Sequence, residues 1–212
     1  MKYNGFYYRL FRSSMKKVIV ENYDRAYADE IMKRSDKVYR EIVRKCPDMG
    51  PGNPMAYNQL FALAFMAPYI ASEKRIPPET VALMMKRALY HVKWFFARTD
   101  LNTPKGKAEN KRNIVRYYRW YTPEMERKYP DSFKVDFVGQ PYDGACYYRI
   151  TRCPVCSFMK SMDTLELMPL FCDLDSVMIS LQHGVLHRKE SIASGGSMCD
   201  YFITGDREDC KD

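Results

Sequence analysis

Apolar positions in the first half of the chain return at three- and four-residue intervals, the spacing of helices that bury one face. Tyr27, Ile31, Val38 and Ile42 mark one such stripe. Residues 54–72 are apolar nearly all round, which predicts a central buried helix opened by Asn53-Pro54 and kinked at Pro68. Pro77-Pro78-Glu79 opens the next helix, whose stripe runs Val81, Met84, Met85, Ala88, Leu89, Val92, Phe95 and Phe96. Residues 3–20 read as helical too. After a polar stretch with Pro104 and Gly106 comes an aromatic and basic run, Tyr117, Tyr118, Trp120 and Tyr121. Such a run can stack bases. Without an alternating strand pattern beside it, a helix packing its rings on a neighbour is the better reading.

From Phe133 the period shortens. Residues 133–138 alternate like a strand, 139–144 read as a turn, and 146–151 form the hairpin partner. Helical stretches follow at 154–162 and 168–182. Residues 185–193 and 198–204 then read as two strands joined by Ser194-Gly195-Gly196-Ser197. The expectation is an α+β fold: an N-terminal helical layer (1–132) packed on a C-terminal antiparallel sheet with inserted helices (133–212), together one compact domain.

Composition narrows the class. In 212 residues, 46% are apolar and 28% charged, which excludes disorder and a fibrous protein. The most apolar window, residues 60–71, falls short of the roughly 20 residues of a membrane span. No apolar leader stretch follows Met1, so a cytoplasmic protein is expected. The net charge of +8 is uneven: residues 1–132 carry 26 Lys/Arg against 14 Asp/Glu, and residues 133–212 carry 8 against 12. Solvated helix faces account for most of this, since no long basic block or nucleic-acid motif is present. The expected partner is a small carboxylate, which a basic surface attracts, rather than nucleic acid or membrane.

Seven cysteines are present, and six lie at or beyond position 146: Cys146, Cys153, Cys156, Cys172, Cys199 and Cys210, with Cys46 apart. An odd number points to reduced thiols. Cys153-Pro154-Val155-Cys156 sits where a strand passes into a helix, a place that lowers a thiol pKa and suits a redox pair. Glu166, Pro169, Cys172 and Asp175 follow one another at intervals of three. Cys172 and Asp175 are then neighbours on one helical face, either a nucleophile with its proton acceptor or a small hydrophobe beside a locally paired Asp. Cys153, Cys156, Cys172 and Cys199 also form C-x2-C-x15-C-x26-C, a possible zinc set with one close pair where two are usual. His91, His183 and His187 read as structural. No cofactor is favoured, with zinc the alternative.

Residues 152–202 resemble the L-2-amino-thiazoline-4-carboxylic acid hydrolase family. The resemblance rests on Cys153-Pro154-Val155-Cys156, Glu166-x-x-Pro169-x-x-Cys172-x-x-Asp175, Arg188, Gly195 and Cys199-Asp200-Tyr201-Phe202. The chain departs from it at Ser191-Ile192-Ala193-Ser194-Gly195 and at Tyr201, where Phe is usual. The closing strand is more distantly similar to vinyl-reductase-type ligand-binding domains. The resemblance implies that a cyclic isothiourea is opened with water to N-carbamoyl-L-cysteine, read as hydrolysis of a non-peptide C–N bond. It also implies Cys172, Asp175 and Glu166 as catalytic residues. Arg188 is the implied carboxylate clamp, with Arg152 or Arg149 as substitutes and Cys199 and Asp200 beside the substrate.

Overall fold

The computed structural model describes residues 5–136 and 146–208, without the side chains of Asn113 and Cys146. The turn expected at 139–144 and Cys210 lie outside these residues.

Helices α1 (Phe6–Asn22), α2 (Arg25–Lys45), α3 (Ala56–Ala71) and α4 (Pro78–His91) form the N-terminal layer. Asp24 starts α2 by accepting the Tyr27 N–H at 2.7 Å. The buried stripe of α2 runs through Ala28, Ile31, Met32, Tyr39 and Ile42, so Tyr27 and Val38 flank it rather than belong to it. Around α3 burial is nearly complete: Leu63, Ala64, Phe65, Met66 and Ala67 are all inaccessible. The helix begins two residues later than Asn53-Pro54 suggests, because the Asn53 side chain accepts the Met55 N–H and turns the chain first. The α4 stripe stops at Leu89. Val92 interrupts the helix, and the four-residue α5 (Lys93–Phe96) leaves Phe95 59% exposed, against the expectation that it belongs to the stripe.

Helix α6 (Pro104–Trp120) buries Tyr117 and stacks it on Trp120 and Tyr121, with ring centroids 5.7 Å apart in both pairs. The short α7 (Pro123–Lys128) leads to the sheet. There β1 (Lys134–Asp136), β2 (Cys146–Arg152), β3 (Gly184–His187) and β4 (Cys199–Gly205) form one antiparallel sheet in the order β1-β2-β4-β3. Between β2 and β3 the chain inserts α8 (Pro154–Ser161) and α9 (Met168–Ser180). The fold is α+β as expected. One hydrophobic core runs through both parts, from Tyr8 on α1 to Ile203 on β4.

One strand is shorter than the 185–193 expected from the sequence. Pairing of β3 ends at His187, because the Asp200 carboxylate accepts the Lys189 and Glu190 N–H groups at 3.0 and 2.8 Å. Ser191 then caps a 3-10 turn over Ile192–Ser194 by accepting the Ser194 N–H. Gly195 closes that turn at φ +87°, a left-handed conformation that favours glycine. The segment after β3 is therefore a pinned loop, and it forms one wall of the site.

Candidate functional site

That loop and the first turns of α9 enclose a cleft of about 520 Å³, lined among others by Pro169, Cys172, Asp173, Arg188, Lys189 and Ser191. A cleft of this size takes a small molecule. By contrast, a hollow beside Leu101 and Gly205 holds about 10 Å³, room for one water at most.

Pro169 opens the first turn of α9, and the helical pitch then sets Cys172 and Asp175 on one face. Cys172 is half-buried. Asp175 is the centre of a charged network. Arg188 donates from Nη2 to Asp175 Oδ2 at 2.8 Å and from Nη1 to the Cys172 carbonyl at 3.1 Å. Tyr201 donates its hydroxyl to the same Oδ2 at 2.7 Å. The guanidinium lies over the Tyr201 ring, 4.3 Å from its centroid, and that ring stacks on Tyr148 at 4.7 Å. Tyr148 and Tyr201 are direct cross-strand partners in the β2–β4 register, which is why they meet.

Burial raises the Asp175 carboxyl above the ordinary carboxylate range, against the downward pull of Arg188 and Tyr201. Burial, helped by the Asp175 charge, pushes the Cys172 thiol up to about 12. The resting thiol is therefore protonated at neutral pH. Cys153 is likewise pushed by burial up to about 12, and Cys156 and Cys199 are raised. Cys153 occupies the cap position of α8, yet burial outweighs the helix terminus, which removes the premise of a redox pair. The five cysteines with described side chains, Cys46 included, are free thiols.

The other expected residues divide. Cys199 is buried on β4, its sulfur accepting the Ile192 N–H at 3.3 Å. Asp200 points to the opposite face and spends its carboxylate on the Lys189 and Glu190 N–H groups, so it shapes the cleft loop from behind. Glu166 is not brought to Cys172. It sits on a 3-10 turn (Leu165–Leu167) that breaks the helical phase before Pro169, and it pairs with Tyr69 Oη at 2.7 Å and Lys74 Nζ at 3.1 Å. Nor is Arg152 at the cleft: it donates to the Ser132 carbonyl at 2.8 Å and to Tyr121 Oη at 3.1 Å. Arg149 is turned to Tyr147 Oη at 2.8 Å. Among the described residues no group of three or more His, Cys, Asp and Glu is placed to hold a metal ion. No helix of the described residues is long and apolar enough to cross a membrane.

Two residues of the site, Lys189 in the cleft wall and Tyr201 behind it on Asp175, were not among the expected site residues. Lys189 reads as a surface cation, and nothing but the loop's fold assigns it to the cleft. Tyr201 had a usable signal, since it stands two residues after Cys199 and thus on the same face of the strand.

What fold and cleft define together is an α+β protein with a cleft of small-molecule size beside a half-buried, charge-paired carboxylate. The chain belongs to the L-2-amino-thiazoline-4-carboxylic acid hydrolase family, whose profile matches residues 57–203 and so spans the whole cleft. No curated protein and no solved structure matches the chain.

Proposed function

We propose that the protein is a hydrolase that opens a small cyclic isothiourea carboxylate, such as L-2-amino-thiazoline-4-carboxylate, to N-carbamoyl-L-cysteine. The observation that carries this reading is Cys172 in the cleft wall with Asp175 one turn further along the same helical face. The thiol attacks the ring carbon between sulfur and nitrogen, and Asp175 takes its proton as the bond forms. The ring C–S bond breaks, and the departing sulfur receives the proton. Water then adds to the same carbon, the bond to Cys172 breaks, and the thiol is restored. Both nitrogens remain on the carbon, so the bond cleaved is C–S; the C–N cleavage expected from the sequence would not give this product.

Because burial keeps the thiol protonated, its proton has to leave during attack rather than before it, which is what a neighbouring base accomplishes. Arg188 gives one N–H from each terminal nitrogen to Asp175 and the Cys172 carbonyl, and with donors left over in the cleft wall it also serves as the substrate's carboxylate clamp. Lys189, the other cation of the cleft wall, adds a second positive charge for the substrate carboxylate. Incubation with the thiazoline carboxylate and a panel of cyclic isothioureas tests the reading, with carbamoylated product and free thiol as the readout. Turnover by the wild type and its loss in Cys172→Ser is the expected result. A compound bound tightly and recovered unchanged would replace the hydrolase by a binding module.

A further inference from the structure

We propose that Tyr201 is a positioning residue for Asp175: its hydroxyl and Arg188 together occupy one carboxylate oxygen, leaving the other as the oxygen that takes the proton. This rests on the hydrolase reading for its chemistry but not for its geometry. Tyr201 Oη and Arg188 Nη2 lie 2.7 and 2.8 Å from Asp175 Oδ2, and no described residue donates a hydrogen bond to Oδ1. Two donors on one oxygen fix the rotation of the carboxylate as well as its charge, and a single donor would fix it less well.

Tyr201 is itself held firmly. Its ring is stacked nearly parallel on Tyr148, at an interplanar angle of 9°, and the guanidinium of Arg188 lies over it. Tyr148 is buried between the strands and the helices, so the ring that carries the hydroxyl rests on the core. The groups that bear on Asp175 come from four directions: Cys172 and Asp173 on its own helix, Arg188 from the loop after β3, Tyr201 and Cys199 from β4, and Tyr57 from α3. Of these, only Arg188 and Tyr201 donate to the carboxylate. Tyr201 therefore does what a second charge would do without adding one, and it keeps a buried base ionised at a pH where Arg188 alone would hold it less well.

Tyr201→Phe deletes the hydroxyl and keeps the ring, its stacking and its contact with Arg188. Stability, kinetics and an activity-free titration decide the proposal. The melting temperature should stay within a few degrees of wild type. In the pH profile of kcat/KM, the acid limb should move up by about one pH unit, because a base that loses a hydrogen-bond donor to its charged form titrates higher. At the pH optimum kcat should fall about tenfold with KM little changed, since the effect lies on proton transfer rather than on substrate binding. A third, activity-free measurement is the carboxyl titration of Asp175 by carbon NMR of aspartate-labelled protein, assigned by the resonance missing in Asp175→Asn. Its midpoint should rise in Tyr201→Phe. If the wild type turns over no isothiourea but the midpoint rises, the hydrolase reading fails and the positioning role stands. If the wild type is active and Tyr201→Phe superimposes on it in kcat, pH profile and midpoint, the positioning role is overturned and the hydrolase reading stands.

Discussion

Arg152 and Arg188 each gather a tyrosine, a carboxylate and a backbone carbonyl around one guanidinium. For Arg152 these are Tyr121, Glu126 and Ser132; for Arg188 they are Tyr201, Asp175 and Cys172. The inventories match, and the arrangements do not. Arg152 reaches outward to a carboxylate that is 3.8 Å away and partly exposed, and its strongest bond ties the end of β2 to the Ser132 carbonyl. That carbonyl belongs to the same turn whose Ser132 hydroxyl accepts from Asn53 at 2.9 Å, so the cluster joins the helical layer to the sheet. Arg188 sits instead between a carboxylate and a phenol ring, with its side chain only 14% exposed and its Nε buried without a partner. A guanidinium with that little water is chosen for what it does to its neighbour. Composition alone does not separate a structural arginine from a functional one; what its partners face does.

The largest expected effect tests whether the Arg188 cluster serves chemistry at all. Cys172→Ser should abolish turnover while leaving the melting temperature nearly unchanged, since a hydroxyl replaces a half-buried thiol of similar size. Full activity in this variant would end the nucleophile assignment. A joint loss of bound zinc and of stability, read by elemental analysis and thermal melts, would move the thiols to a metal site.

Paired substitutions sharpen the comparison. Arg188→Lys should lower kcat by about tenfold to a hundredfold, because a compact ammonium lacks the planar fork whose two terminal nitrogens reach Asp175 and the Cys172 carbonyl separately. Arg152→Lys should leave kcat and KM alone and cost about 1–2 kcal/mol in denaturant unfolding, the size of a lost charged hydrogen bond to a partly buried carbonyl. Equal effects of the two on kcat would dissolve the distinction drawn between them.

Smaller still is the effect of the second cation at the substrate carboxylate. Lys189→Met should raise KM about tenfold, roughly 1.4 kcal/mol, for a carboxylate substrate and leave the KM of a decarboxylated analogue where it was. Last comes Glu166→Gln. Its carboxyl is somewhat desolvated, but hydrogen bonds from Tyr69 and Lys74 hold it below the ordinary range. A depressed carboxyl lends stability above its unfolded pKa and loses it as pH falls through the folded value. The pair is 39% exposed on both sides, so the wild-type advantage at neutral pH should be within about 1 kcal/mol, vanish in acid, and leave turnover untouched.

Much of the fold was legible because it is written in local periodicity. The stripes of α2 and α4, the all-round burial of α3 and the change of period at Phe133 all follow from backbone geometry that neighbouring residues share. Strand length was not legible after β3: residues 185–193 read as one strand, but the Asp200 carboxylate takes the Lys189 and Glu190 N–H groups before a strand partner can. The site divided along the same line. Cys172 and Asp175 are visible as a helical pair, whereas Arg188 was marked only by the family resemblance. Glu166 was misplaced because a 3-10 turn resets the phase between it and Pro169, and periodic spacing carries no mark of such a reset. Tyr201 and Asp175 are 26 residues apart and meet only because β4 lies beside the β2 strand bearing Tyr148.

The uniformly raised thiols also bear on durability. Cys46, Cys153 and Cys172 are each pushed by burial to about 12, and Cys156 and Cys199 are shifted the same way. Peroxides and alkylating agents react with the thiolate, and sulfenic acid forms from it far faster than from the neutral thiol. The five described cysteines, their thiols raised by burial, offer such reagents little thiolate. In the proposed mechanism Cys172 becomes nucleophilic only as Asp175 takes its proton, so between turnovers it is spared the wear that a permanently ionised cysteine would suffer.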